Sequence, residues 1–128
     1  MSMINPLARA RGHGSAKEGV GHWFAQRATA VLLLFLLSWG IYAAIRLAGA
    51  DFDTTRAFVG QPLNAALLIL LLVSLLYHAM LGMQVVIEDY VHHRPTDILL
   101  HFLVRAGGWF GMALGAVHIL RISLGAGA

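Results

Sequence analysis

The chain has 128 residues, of which 59% are hydrophobic and only 12% are charged. Soluble domains contain about a quarter of charged residues, so this composition predicts a membrane protein. The absence of cysteine excludes disulfides, thiolate-bound iron–sulfur clusters and covalently attached haem, so any redox group held by this chain would depend on histidine. The net charge of +3 is small and the arginines are scattered, which argues against nucleic acid as a partner.

The first segment, residues 1–22, is predicted to be a polar N-terminal tail. It contains Arg9 and Arg11 but lacks the central apolar stretch that a cleavable secretory signal requires. Its composition also suits a mitochondrial transit peptide, although Pro6 and the glycines disfavour the amphipathic helix of such a peptide. We therefore expect the inner (cytoplasmic) membrane of a bacterium rather than the mitochondrial inner membrane.

Three apolar segments follow, and they predict an all-α membrane protein in which residues 23–128 form a single three-helix domain. The expected transmembrane helices lie at about residues 24–48, 63–91 and 97–124. The second is the clearest, because the run from Leu63 to Ile87 contains no full charge. The segment AGADFDTTRAFVGQP between the first two spans has the composition of a loop.

The distribution of basic residues predicts the orientation of these helices. More of them fall on the side of the N-terminal tail and Arg94 than on the side of Arg46 and Arg121. The positive-inside bias therefore predicts that the N-terminus lies inside and the C-terminus outside. The second helix then ends at the inner surface, with Asp89 and Tyr90.

The third helix contains Gly107, Gly111 and Gly115 at every fourth position. Glycine is common in membrane helices, but three in register favour a face on which another helix packs closely. The same helix has polar side chains that should face protein rather than lipid. These are His101, Arg105 and His118.

A histidine inside the second apolar run is the main candidate for chemistry. His78 precedes Asp89 by eleven residues, which on a helix leaves the two about 20° apart in azimuth and about 16 Å apart along the axis. His78 therefore lies near mid-membrane, where an imidazole can hydrogen-bond a neighbouring helix, relay a proton, or ligate a metal or haem. Gly82 and Ser74, one turn to either side, leave room for a flat macrocycle.

A second axial ligand for haem is not expected from this chain. Counted from Asp97, His101 lies about 6 Å and His118 about 31 Å from the inner end of the third helix. Neither is level with His78, so a bis-histidine haem site would require a ligand from another polypeptide. For these two histidines a structural role is the simpler interpretation, and no role is assigned to His13 or His22.

Two arginines are candidates for binding the anionic propionates of a haem. Arg27 begins the first span on its inner side, and Arg105 should lie about 12 Å deep. An arginine in a membrane must pair with something, but each of the two also has a simpler role open to it. Arg27 can snorkel to the interface, and Arg105 can pair with Asp97 or Glu88.

Acids and tyrosines are frequent at membrane interfaces, so Asp89 and Tyr90 are weak signals by themselves. Their position at the inner end of the helix that contains His78 gives them more weight. A quinone needs hydrogen bonds to its carbonyl oxygens and protons when it is reduced. Tyr90 can donate to a carbonyl, and Asp89 can orient the ring or pass protons.

Two motifs connect these residues with a known family. The first is H-A-x-x-G-M-x-x-V-x-x-D-Y from His78 to Tyr90, and the second is R-A-T-A from Arg27 to Ala30. In both motifs and in its three spans, the chain resembles the small hydrophobic membrane-anchor subunit of succinate dehydrogenase, respiratory Complex II. The resemblance implies that His78 is an axial ligand of haem b, with the second ligand from the cytochrome b subunit. It also implies that Asp89 and Tyr90 belong to the ubiquinone-reduction site and that Arg27 lies near the propionates.

The same resemblance implies an iron–sulfur subunit and a flavoprotein subunit as partners. The chain would contribute to quinone reduction without oxidising succinate itself. Two alternatives remain at this point: the anchor of a menaquinone-linked fumarate reductase, and a small non-redox membrane subunit in which His78 only packs or relays protons.

Overall fold

The computed structural model describes residues 19–125, which form four α-helices joined by short connections. They are α1 (Gly19–Leu47), α2 (Phe52–Gly60), α3 (Pro62–Tyr90) and α4 (Arg94–Ser123). The three long helices are apolar and long enough to cross a membrane, at about 44 Å each for a hydrocarbon layer of about 30 Å. The prediction of an all-α protein with three transmembrane helices is confirmed, and its orientation in the membrane remains a prediction.

The first long helix begins earlier than the sequence predicted. α1 starts at Gly19, so residues 19–22 are helical rather than part of a polar tail. The rest of the predicted tail lies outside the described residues. The early start places His22 on the helix, about one turn before Gln26.

The connection between the first two spans was predicted as a loop, and this is wrong for residues 52–60. Asp51 caps α2, because its Oδ1 accepts a hydrogen bond from the backbone N–H of Thr54 at 2.9 Å. Hydrogen bonding from Thr54, first from its side chain and then from its backbone N–H, holds the pKa of the Asp51 carboxyl below its usual range. The glycines and the proline suggested a loop, but a single capping aspartate is sufficient to begin a short helix there.

Prolines lie in the first turn of both α3 and α4. Pro62 opens α3 as its position after a loop suggests, since proline has no N–H to lose at that point. Pro95 is likewise accommodated inside α4, which begins at Arg94 and so starts three residues before the predicted helix. The turn between the two helices is therefore only residues 91–93.

α3 is the central helix, and it packs against both α1 and α4. α2 packs on α3 and α4 at the end of the bundle where α3 begins. α2 also reaches α1, where the rings of Phe58 and Trp39 stack with centroids 6.4 Å apart. Many large apolar side chains on the outside of the long helices are exposed, among them Phe35 and Phe110. Such surfaces suit contact with lipid or with another membrane subunit.

The contact between α3 and α4 depends on glycines. A Cβ added to Gly111 would lie 3.3 Å from Leu76, one on Gly115 would lie 2.5 Å from Leu72, and one on Gly108 would overlap Met80. A Cβ on Gly107 would meet nothing within 4 Å, so the predicted glycine strip is wrong at its first position. Each step of four residues turns the side chain by about 40° around the helix axis, so a run of such steps leaves the face on which it began. The steps of three and then four from Gly108 to Gly111 to Gly115 keep these glycines on one face.

Candidate functional site

His78 lies on α3 with its imidazole directed at α1. Its Nδ1 is 2.9 Å from the hydroxyl oxygen of Thr29, and its Nε2 is 3.2 Å from the amide nitrogen of Gln26. Both ring nitrogens are therefore engaged by α1. Thr29 and Gln26 can meet one imidazole because residues three apart lie on the same face of a helix.

Small side chains allow this close approach. Ser74, one turn before His78, is 6% exposed, and Gly82 follows one turn after it. A Cβ on Gly82 would lie 3.8 Å from the amide nitrogen of Gln26. The hydroxyl of Thr29 also donates to the backbone carbonyl of Ala25 at 2.8 Å, a local bond common for threonine within helices.

The sequence indicated His78, Gly82 and Ser74 but missed the two residues that contact the imidazole. Thr29 is part of the R-A-T-A motif and Gln26 directly precedes that motif, so both were visible without a role. The periodicity of one helix cannot reveal which residue of another helix it faces. A polar pair three residues apart in an apolar span is the signal that would have suggested a buried partner.

The two histidines of α4 lie elsewhere. Leu76 and Met80, two residues to either side of His78, face α4, which puts α4 roughly 160° around α3 from the imidazole. Neither His101 nor His118 therefore meets His78. Within residues 19–125 no group of three or more histidines, cysteines or carboxylates could hold a metal ion.

His101 and His118 differ in their surroundings. The His101 side chain is 19% exposed, with Nδ1 at 3.1 Å from Asp97 Oδ1 and Nε2 at 3.6 Å from Glu88 Oε1. His101 faces protein, as predicted. Among residues 19–125, His118 is exposed and bonds only to its own helix, with Nδ1 at 2.7 Å from the Leu114 carbonyl oxygen, so the described part of the chain does not meet the same prediction.

The two candidate arginines are exposed on the described part of the chain. Arg27 lies over the Trp23 ring, with its guanidinium carbon 5.1 Å from the ring centroid. Arg105 forms no ion pair within residues 19–125, because Glu88 and Asp97 lie against His101 instead. The alternative of pairing with these carboxylates is therefore not found.

Two cavities lie where the first half of α1, the second half of α3 and the first half of α4 converge, and both are bordered by His22, Gln84 and Arg105. The cavity beside Gly82 and Gln26 has a volume of about 640 Å³. The second has a volume of about 580 Å³, and its wall is completed by apolar and aromatic residues. These residues are Gly21, Ala25, Tyr77, Met80, Leu81 and Trp109.

Several polar groups at this junction lack a partner in the described part of the chain. His22 Nε2 and Gln26 Oε1 are buried without a hydrogen bond. The side chain of Gln84 is 8% exposed and also makes none within residues 19–125. Unpaired polar groups inside a membrane protein are costly, so the junction is suited to a ligand, to water or to another subunit.

Asp89 and Tyr90 are the last two residues of α3, and both are exposed. The Tyr90 side chain is free of hydrogen bonds within residues 19–125, and Tyr90 is 79% exposed. Asp89 likewise makes no ion pair with the described residues. Residues 19–125 do not enclose the pair, so a site that uses it would need further walls.

Comparison with known proteins agrees with the motifs. A model of the family described as succinate dehydrogenase/fumarate reductase transmembrane subunit matches residues 1–108. The chain is 40% identical over 85 residues to the succinate dehydrogenase hydrophobic membrane anchor subunit of Rickettsia bellii, covering 66% of this chain and 68% of that protein. It is 29% identical over 126 residues to the subunit of the same name from Paracoccus denitrificans, covering 98% and 97%. No solved structure matches the chain significantly.

Proposed function

The chain belongs to the succinate dehydrogenase/fumarate reductase transmembrane subunit family, and we propose that it ligates haem b through His78. In the same proposal it helps to form a ubiquinone-reduction site. As a multi-pass membrane protein similar to succinate dehydrogenase anchor subunits, it has the anchor role. The observation that carries the finer proposal is the position of His78, an imidazole in the middle of a membrane helix, one turn before Gly82, which lines a cavity together with Gln26.

The residues around His78 fit a haem. The Nε2 of a neutral imidazole is a ligand for haem iron, and the bound haem would supply one-electron transfer. Gly82 leaves space for the flat ring system, and Arg105 lines the adjoining cavity, where a cation can pair with an anionic propionate. Arg27, next to Gln26 in the chain, is the second candidate for a propionate.

The separation of His78 from the two histidines of α4 supports a haem shared with another polypeptide. In our proposal the second axial ligand comes from a cytochrome b subunit. The broad exposed apolar surfaces of the long helices are suited to such a partner. An iron–sulfur subunit and a flavoprotein subunit complete the proposed assembly in the bacterial inner membrane.

The exposure of Asp89 and Tyr90 supports a quinone site formed jointly with other subunits. A phenol donates a hydrogen bond to a quinone carbonyl, and the carboxylate of Asp89 can hold a proton near the aqueous boundary. The helix end leaves both side chains available to a ligand. The chain thus takes part in quinone reduction and has no part in binding succinate.

The haem proposal is tested by the reduced-minus-oxidised absorption spectrum of the purified complex. We expect a b-type spectrum in the wild type and its loss or alteration in His78→Ala. His118→Ala is the matched control, because His118 is exposed and bonds only to its own helix. A wild-type complex without b-type haem, or a spectrum that His78→Ala leaves unchanged, would refute haem ligation by His78.

The quinone proposal is tested with Tyr90→Phe. Loss of one positioned donor should slow quinone reduction by at least about tenfold, while succinate oxidation with a soluble artificial acceptor stays at the wild-type rate. Tyr42→Phe, at the opposite end of the membrane span, serves as the control. Equal losses with both acceptors would indicate faulty assembly, and the proposed role of Tyr90 would be rejected.

A further inference from the structure

The hydrogen bonds around His78 have a direction that follows from the donors available. An amide nitrogen can only donate, so Gln26 Nε2 at 3.2 Å makes His78 Nε2 the acceptor. A neutral imidazole has one N–H, and it must then be on Nδ1. The atom beside Nδ1 is the Thr29 hydroxyl oxygen at 2.9 Å, which accepts that hydrogen.

Thr29 can accept because its own hydrogen is used elsewhere. The hydroxyl donates to the Ala25 carbonyl oxygen at 2.8 Å and lies 3.1 Å from the Gln26 carbonyl oxygen. The bonds therefore run from His78 Nδ1–H to Thr29 and from Thr29 to the backbone of α1. This leaves the lone pair of the imidazole on Nε2, directed at the Gln26 amide.

We propose that Thr29 and Gln26 are positioning residues for His78: Thr29 keeps the proton on Nδ1, and Gln26 holds the Nε2 lone pair until haem iron takes it. This inference rests on the proposed haem ligation. Metal-binding histidines commonly donate their other N–H to a neighbouring acceptor, which fixes the tautomer and the ring orientation. Thr29 supplies that acceptor from a rigid helix rather than from a loop.

Gln26 has the features of a temporary partner. On ligation the bond from its amide to Nε2 breaks and the bond from Nε2 to iron forms, so the side chain must turn away. Its Oε1 is buried without a partner, so the present orientation leaves one hydrogen bond unmade. Gly82 and a cavity of about 640 Å³ lie beside the amide and give it room to move.

A reversed amide orientation would change every bond in this set. Gln26 Oε1 would then face Nε2 and require a hydrogen there, and Thr29 would have to donate to Nδ1. Protonated Nε2 has no lone pair for iron. Only the orientation described here is compatible with His78 as a ligand, and Thr29 favours it through its bond to Ala25.

The test uses the complex purified from membranes, with Thr29→Val, Thr29→Ser and Gln26→Leu. Valine keeps the shape of threonine without the acceptor, and serine restores the hydroxyl. The control is Ser38→Ala, which removes another α1 hydroxyl that donates to its own helix, here to the Leu34 carbonyl oxygen at 2.6 Å. The readouts are the haem bound per complex, the rate at which haem passes to excess apomyoglobin, and the midpoint potential.

We expect Thr29→Val to release haem roughly tenfold faster or more. Its midpoint potential should become more positive, because an imidazole whose N–H lacks an acceptor donates less electron density to iron. Thr29→Ser and Ser38→Ala should match the wild type, and Gln26→Leu should release haem no faster than the wild type. The shift in potential distinguishes positioning from packing.

Three results would overturn the inference. Wild-type haem release and potential in Thr29→Val would remove the role of Thr29, and equal defects in Thr29→Ser and Thr29→Val would reduce it to packing. Faster haem release in Gln26→Leu would mean that Gln26 stabilises bound haem, whereas the inference has Gln26 bonded to His78 Nε2 only before haem binds. Each of these leaves a haem that depends on His78, whereas failure of the proposed function leaves none.

Discussion

The central helix α3 contacts its two long neighbours in opposite ways. Toward α1 it presents His78, whose ring nitrogens lie against Gln26 and Thr29, while Gln84 borders the cavities shared by α1, α3 and α4. Toward α4 it presents apolar side chains such as Met80 and Leu72, which fill the space above glycines. The α1 side borders two cavities, and we call it the open side. We call the packing over the glycines of α4 the closed side; a further cavity of about 570 Å³ lies outside that packing, between α4 and the end of α3.

The two sides of α3 therefore have different roles: the packing against α4 stabilises the protein, and the side toward α1 holds the candidate functional site. In lipid the helices gain little from hydrophobic burial against one another, so close packing over small residues is a main source of association. The α4 side provides it. Unpaired polar groups such as Gln26 Oε1 oppose stability, and a protein retains them where a ligand or a partner will pair with them. The α1 side is therefore the side on which these groups are left to pair with something beyond residues 19–125.

The largest loss of stability is expected from a substitution that disrupts the packing between α3 and α4, on the closed side. In Gly115→Leu the new side chain enters space held by Leu72, since even a Cβ there would lie 2.5 Å from it. We expect the detergent-solubilised complex to lose about 3 kcal/mol of stability, measured as a lower thermal midpoint.

Gly107→Leu is the matched control, because a Cβ at Gly107 meets nothing within 4 Å and both changes gain the same helix propensity. Gly107→Leu should leave the thermal midpoint close to that of the wild type. If both variants lost equal stability, the α4 contact would not have the glycine face described here.

A smaller loss of stability is expected from a substitution on the open side. Gln84→Met keeps the length of the side chain and removes an amide that is 8% exposed and unpartnered in the described part of the chain. A hydrogen bond supplied by another subunit or ligand is worth about 1 kcal/mol, so the thermal midpoint should fall less than in Gly115→Leu. Gln61→Met, at an exposed glutamine, is the control. A loss as large as that of Gly115→Leu would show that the α1 side also determines stability.

The sequence predicted the long helices well because the thickness of the membrane requires spans of a certain length. It also predicted that His78 has no level partner on α4, since rise per residue gives depth directly. Rotation about the helix axis was harder. Gly108 rather than Gly107 faces α3, because a step of four residues drifts around a helix with 3.6 residues per turn.

The polar partners of His78 could not be predicted for a related reason. In a soluble helix one apolar stripe shows which face is inside, but a membrane helix is apolar all round. The apolar pattern of α1 therefore does not show which of its faces meets α3, and only the spacing of the polar pair Gln26 and Thr29 hints at it. The helix α2 was missed for a local reason: its capping residue Asp51 stands among glycines and a proline, whose composition suggested a loop.

The smallest effect is a local change in the stability of α2. This helix packs on α3 and α4, so it belongs to the closed side. Hydrogen bonds from the side chain and the backbone N–H of Thr54 lower the pKa of the exposed Asp51 carboxyl. A lowered pKa means that the cap stabilises α2 above the unfolded pKa of aspartate, about 4, and that this contribution is lost as the pH falls through the lower folded value.

Asp51→Asn keeps an acceptor at every pH, so it should remove the acid sensitivity, whereas Asp51→Ala should lack the cap throughout. The measurement is amide hydrogen exchange at Thr54 and Thr55 in the complex, expressed as protection relative to unstructured peptides at each pH. Protection in the wild type should decrease under acid while Asp51→Asn stays constant. Because α2 touches neither Thr29 nor His78, all three proteins should have the same haem spectrum. A changed spectrum would mean that the two sides of α3 are coupled, and the separation of a closed stabilising side from an open functional side would not hold.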